Sequence, residues 1–278
     1  MNTIRYEVAG RVARVTLDRP ERANAITLEM PRELAECVEQ ANLDPSVHVI
    51  ALAGAGKGFC GGYDLVEYAE RQPPNHDPAE PWDPVLDWQM MSRNLRGFMS
   101  LFHSDKPVVC KVHGFCVAGG TDLALCSDLL VIADDARIGY PPARVWGVPT
   151  SALWAFRVGD QRAKRLLFTG DLIDGRTAHD WGLAVEAPPA AELDERFDAL
   201  VERIALTPVN QLVMMKLLVN QALYSQGLHA TQALGVFFDG IARHTPEGYE
   251  FQRRAAEVGF KQAVHERDDP YGTAQSPP

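Results

Sequence analysis

The sequence has no CxxC pair, and its cysteines are odd in number: Cys37, Cys60, Cys110, Cys116 and Cys126, mostly among apolar neighbours. That excludes a disulfide framework or a cysteine metal site and leaves five thiols that read as reduced and buried. No apolar run reaches membrane-spanning length, and residues 1–7 carry charge where a secretory signal needs an apolar core. A soluble, cytoplasmic protein without a membrane partner is expected. Positive charge is scarce: 27 Lys and Arg stand against 37 Asp and Glu, a net charge of −10. Neutralising a phosphate polymer takes clustered cations, so no nucleic acid partner is expected, although a small polyanion is admitted where basic residues gather locally. Neither GxSxG nor HExxH occurs, so serine-hydrolase and zinc-protease chemistry have no support and no metal is expected.

With 278 residues the chain suits one large domain, or a domain with an appendage, around a sizeable core. Residues 3–17 alternate polar and apolar around Ala9-Gly10, the pattern of a hairpin. A polar loop over 18–25 leads into a helix to about residue 42, with Met30, Leu34, Cys37, Val38 and Ala41 at helical spacing, and 47–53 read as a buried strand. A proline-rich loop or insertion at 71–84 precedes a helix carrying Trp88, Met91, Leu95, Phe98 and Phe102, a face that is either core or the wall of an apolar pocket. Residues 107–112, 129–133 and 136–139 give further strands, the last stopped by Tyr140-Pro141-Pro142. Helices are expected over 151–168, 174–181 and 189–206, and almost continuously over 209–265. So long a helical tail, still apolar at Leu234, Phe237, Phe238 and Ile241, points to packing on another subunit. The acidic stretch at 266–270 reads as solvated.

Two glycine loops carry the chemistry. The first, 54–65, fails the phosphate-cradling pattern, because Ala51 stands where a glycine is needed and Gly58 where a hydroxyl follows the lysine. Gly56, Gly58 and Gly61 satisfy the dinucleotide pattern literally, but a proline-rich segment replaces the second strand that pattern requires. The second loop lies within 113–128, where a strand ends, Gly119 and Gly120 follow, and an apolar helix begins. The first amides of a helix have no intrahelical partner and sit at its positive end, so they favour negative charge. A carbonyl oxygen that gains charge during a reaction would be held there. Asp122, in the first turn, either complements the dipole or transfers protons.

Three stretches in this order, 19–25, 59–65 and 113–128, resemble the crotonase (enoyl-CoA hydratase/isomerase) family, with Leu166-Leu167-Phe168-Thr169-Gly170, Ala178 and 181–184 adding to the likeness. The resemblance implies an α/β fold of stacked β-β-α repeats over 1–205, holding an acyl-CoA site. A helical C-terminal region over 206–278 would assemble homotrimers, or hexamers as dimers of trimers. It implies a thioester substrate of the kind met in fatty acid metabolism, coenzyme A being part of the substrate and no separate cofactor being used.

Carried over residue by residue, the two oxyanion-hole amides fall on Gly61 and Gly119, and the acid/base on Asp122. Arg22, Ala23, Ala25, Lys57, Cys60, Tyr63, Asp64, Leu65, Tyr140 and Pro142 fall around the substrate, with Arg22 and Lys57 toward the coenzyme A phosphates. Asp64 stands where the family's acid fixes its loop. The sequence departs from the pattern at the carboxylates: a hydratase uses two glutamates, and here the positions are Asp122 and Pro142. Tyr140, Tyr63, His113 and Arg144 are candidates for the missing part, each structural by default. Three functions follow: a lyase of hydratase or isomerase type that stabilises a thioester enolate; a hydrolase or carbon–carbon cleaving enzyme acting on a bulky acyl-CoA or diketone; and a protein that binds acyl-CoA without converting it.

Overall fold

The first pair of strands, β1 (Ile4–Ala9) and β2 (Val12–Leu17), is the expected antiparallel hairpin, Ala9 facing Val12 across a two-residue loop. Gly10 takes a positive φ of 58° there, a conformation glycine adopts without strain. The computed structural model describes residues 1–70 and 81–272. Most of the proline-rich loop read at 71–84 lies outside the described residues.

Three strands extend the hairpin in parallel: β3 (Val49–Gly54), β4 (Val108–Val112) and β6 (Leu129–Ile132), giving the order β1-β2-β3-β4-β6. Parallel strands covered on both faces read as continuous apolar runs; Val49, Ile50 and Leu52 of β3 are all 0% exposed. A second sheet runs β5 (Phe115–Val117), β7 (Arg137–Gly139), β8 (Leu172–Asp174). The short strands β5 and β8 were not expected from the sequence. Between β4 and β5 the chain turns at Gly114, at φ 59°, where a Cβ would run into the carbonyl of Lys57. That corner moves the chain from one sheet to the other.

Helix α1 (Met30–Leu43) buries Met30, Leu34, Cys37, Val38 and Ala41 as its periodicity predicts, and packs against α2 (Pro84–His103). Burying one such Leu or Met stabilises by about 1.5–3 kcal/mol. Asp83 caps α2 by accepting from the amides of Val85 and Leu86. Met91, Leu95, Phe98 and Phe102 turn inward, whereas Trp88, placed on the same face by spacing, is 44% exposed. Helix α3 (Gly119–Leu125) follows β5. The single helix expected over 151–168 is two, α4 (Trp154–Val158) and α5 (Asp160–Thr169), because Gly159 at φ 78° and ψ 167° breaks it. Helices α6 (Gly175–Asp180) and α7 (Leu193–Ala205) match expectation.

The C-terminal region is helical, as expected: α8 (Val209–Ser225), α9 (Leu228–Arg243), α10 (Pro246–Val258) and α11 (Phe260–Asp268). Helices α10 and α11 bury Phe251, Ala255, Phe260 and Ala263, whereas the polarity of α8 and part of α9 runs against the usual sense. The buried side chain of α8 is Lys216, whose Nζ donates to the carbonyls of Leu101 and Lys106 and pairs with Asp128 at 2.8 Å. Leu217, Leu218 and Val219 are 60–69% exposed. On α9, Gln232, Asp239 and Arg243 face inward while Leu234, Phe237 and Phe238 face out. All five cysteines are free and buried, and no described helix is long and apolar enough to cross a membrane.

Candidate active site

Three loops meet at the C-terminal ends of β2, β3 and β5, and Asn24 ties the first two together. Its Nδ2 donates to the carbonyls of Ala55, Gly58 and Phe59, and its Oδ1 accepts from the amide of Arg19. Ala23 and Asn24 both hold φ 52°, the left-handed region, which this network over-determines. Arg19 also pairs with Asp64 at 3.0 Å, and the other oxygen of Asp64 accepts from the amide of Val66. The carboxylate of Asp64 therefore fixes the loop.

The third loop packs on the second. Phe59 and Cys60 donate from their amides to the Phe115 carbonyl, and Val117 donates to that of Cys60. Ala118 takes φ 52° and ψ −131°, strained for a residue with a Cβ, and turns the chain into α3. Gly119 is the first residue of that helix, so its amide has no intrahelical carbonyl to bond. A Cβ built on Gly62 would lie 2.9 Å from Ala118 Cβ and 3.7 Å from Gly119 N, which measures how closely the two glycine turns approach. The amide of Gly61 donates to the Ala23 carbonyl at 2.8 Å.

Beside these turns lies a cavity of 280 Å³. Among the residues expected at the site, Arg22, Ala23, Ala25, Gly61, Tyr63, Leu65, Gly119, Tyr140 and Pro142 line it. Lys57, Cys60, Asp64 and Asp122 are not on its wall. Lys57 is exposed, and Cys60 is fully buried, its thiol directed at the Asn24 carbonyl and pushed by burial up to about 12. Met90 and Met91 of α2 supply apolar wall, while Leu95, Phe98 and Phe102 of the expected face pack into the core. Further wall comes, among others, from Trp146, Asp239, Arg243, Phe251 and Phe260, none of which was expected at the site from the sequence. Trp146, at φ 82°, stacks obliquely on both Phe251 and Phe260 with ring centroids 5.4 Å apart. The wall is thus built from both sides of residue 205.

Asp122 is 0% exposed. Its Oδ1 accepts from the Ser151 amide at 2.8 Å, and its Oδ2 has no hydrogen-bond partner. Burial raises its carboxyl to about 7, with Asp239 adding to the rise. The Tyr63 and Tyr140 phenols are held well above their ordinary range by burial first and by the charge of Asp122 next. A carboxyl near half-protonation at neutral pH, without a partner on one oxygen, can give and take a proton. Of the other candidates for the missing part, Arg144 is tied to Asp268 at 2.9 Å and His113 bonds the Gly56 carbonyl. Among the described residues no three His, Cys, Asp or Glu side chains gather as a metal site.

A family model described as enoyl-CoA hydratase/isomerase matches residues 7–246. The chain is 59% identical to a structure described as enoyl-CoA hydratase from Mycobacterium smegmatis, with a TM-score of 0.93 over 97% of this chain and 94% of that one. It is 30% identical to the 1,2-epoxyphenylacetyl-CoA isomerase of Escherichia coli, over 80% of this chain and 83% of that protein. It is 27% identical to the carnitinyl-CoA dehydratase of Proteus mirabilis, over 93% and 89%.

Proposed function

From the premise that this chain belongs to the enoyl-CoA hydratase/isomerase family of acyl-CoA-processing enzymes, we propose that it is a lyase of hydratase or isomerase type that forms a thioester enolate in the cavity beside Gly119. The observation that carries this reading is the start of α3: a strained turn presents a helix-start amide to a cavity, with a carboxyl raised to about 7 one turn along. The thioester oxygen accepts from the Gly119 amide and from that of Gly61, whose bond to the Ala23 carbonyl is shared or opened as substrate enters. As the α-carbon loses or gains a proton, charge moves onto that oxygen, and each amide stabilises it; removing one such donor costs about 3–4 kcal/mol. Asp122, buried one turn from the Gly119 amide with its Oδ2 unpartnered, moves the proton once substrate entry opens the wall in front of it.

Arg22, on the cavity rim, receives the coenzyme A phosphates, with Lys57 further out. No separate cofactor is invoked. The outward apolar faces of α8 and α9 support assembly as a homotrimer or dimer of trimers, acting in the cytoplasm. The aromatic wall of Tyr140, Trp146, Phe251 and Phe260 favours a bulky acyl group.

The test incubates the purified protein in D2O with butyryl-CoA and follows α-proton exchange by NMR. In parallel, the absorbance of crotonyl-CoA and cinnamoyl-CoA reports water addition. Exchange that is lost in Asp122→Asn is expected; a wild-type protein that exchanges no α-proton and converts no thioester removes the reading.

A further inference from the structure

Local sequence supplies one proton-transfer group, Asp122, where addition of water needs two, because water loses a proton as its oxygen attacks while the α-carbon gains one. The structure brings a second carboxylate to the cavity from a distant part of the chain. Asp239, on the inward face of α9, lines the cavity although Asp122 does not. Its position relative to Pro142 is fixed by Gly147. A Cβ built there would lie 2.9 Å from Pro142 Cβ, 3.3 Å from the Tyr140 hydroxyl and 3.7 Å from Asp239 Oδ1. The carboxylate thus stands beside the proline.

Its hydrogen bonds leave it capacity to act. Oδ1 accepts from the Val148 amide at 3.1 Å and Oδ2 is ion-paired with Arg243. A carboxylate offers about four acceptor positions, so two are filled. Arg243 is held in turn by Asp87 at 3.1 Å, and Asp87 accepts from the Trp82 indole at 2.6 Å. The Arg243 guanidinium braces the side chain, and both residues line the cavity. Asp239 therefore presents a carboxylate to the same site as the buried Asp122 carboxyl.

We propose that Asp239 is a second catalytic group of this site, acting as the base that takes a proton from water while Asp122 delivers one to the α-carbon. The inference rests on the enolate-forming reading above. Water oxygen bonds to the β-carbon of a 2-enoyl thioester as Asp239 accepts one of its protons. The π pair moves toward the thioester, and the enolate oxygen is held by the amides. The Asp122 carboxyl then gives its proton to the α-carbon and the carbonyl is restored. One water has been added; Asp239 then releases the proton it took and Asp122 takes one up from solvent, which restores both groups.

The experiment compares wild type, Asp239→Asn and Asp122→Asn in two assays: hydration of crotonyl-CoA and cinnamoyl-CoA, and α-proton exchange of butyryl-CoA in D2O. Loss of a positioned base lowers hydration by Asp239→Asn about 100-fold or more, with a far smaller effect on exchange, whereas Asp122→Asn loses both. Should Asp239→Asn not fold, Asp239→Glu keeps the ion pair and moves the carboxylate by one methylene. It is expected to lower hydration about 10-fold and to alter exchange much less. Hydration that survives either folded variant, or falls in step with exchange, overturns the proposal. A wild-type enzyme that exchanges protons but hydrates neither substrate overturns it too and leaves the enolate reading standing; one that does neither overturns both.

Discussion

The backbone amide of Ser151 donates a 2.8 Å hydrogen bond to Oδ1 of Asp122, 29 residues earlier, while the other carboxyl oxygen receives none. One bond is too little to offset complete burial, so the carboxyl rises from 3.8 to about 7. Below the ordinary value native and unfolded chains both hold the proton. Between 3.8 and about 7 only the native state holds it, so stability falls as pH rises through that window. Asp122→Asn removes the effect. By urea unfolding the variant is expected to match wild type near pH 4 and to exceed it at pH 8 by up to about 4 kcal/mol, at the expense of activity.

Asn24 satisfies three buried carbonyls and one amide across two loops. Buried groups stripped of a partner cost about 1–3 kcal/mol each, part of which water restores, so Asn24→Ala is expected to lower unfolding free energy by roughly 2–4 kcal/mol. Denaturant titration measures this, and a change below half a kilocalorie contradicts the role given to Asn24.

A Cβ on Gly119 would come to 2.5 Å from Tyr63 Cε2 and 3.2 Å from Ile26 Cδ1. The ring or the amide must shift. Gly119→Ala is therefore expected to lower kcat/KM about 100-fold through a displaced donor, with circular dichroism unchanged. Activity near wild type would place the oxyanion site elsewhere.

Arg22 lines the cavity mouth and Lys57 does not. An exposed ionic contact is worth about 1 kcal/mol, so Arg22→Ala is expected to raise KM for acyl-CoA about 5-fold, less at high salt, with Lys57→Ala nearly neutral. The same comparison with acyl-pantetheine, which lacks the nucleotide phosphates, is expected to show no difference.

Splitting the assembly tests the outward apolar faces. Leu218 is 69% exposed on α8, and Leu218→Glu is expected to yield a smaller species by light scattering, because a buried unpaired charge is expensive at an interface. An unchanged mass means that this face lies outside the contact.

Sequence alone determined the elements whose periodicity reports burial directly: the hairpin at 3–17, the inward face of α1, the apolar run of β3 and the helix start at Gly119. It also supplied the order of the glycine loops, because turns that need close backbone approach demand glycine wherever they occur. On α9 it read Leu234, Phe237 and Phe238 as packing on another subunit, in keeping with their outward position, but passed over the residues that face inward. The informative residues there were Gln232, Asp239 and Arg243, polar side chains seven and four residues apart on one helical face.

Only the tertiary structure decided which carboxylate meets the cavity. Asp122 was legible because it follows two glycines, but its protonation depends on complete burial and on a single amide 29 residues away. Asp239 lies 97 residues beyond Pro142, and no local pattern joins them; the packing of α9 on α2 does. Local spacing encodes periodicity and turn geometry, whereas the meeting of distant side chains in a low-dielectric space is a property of the packed chain.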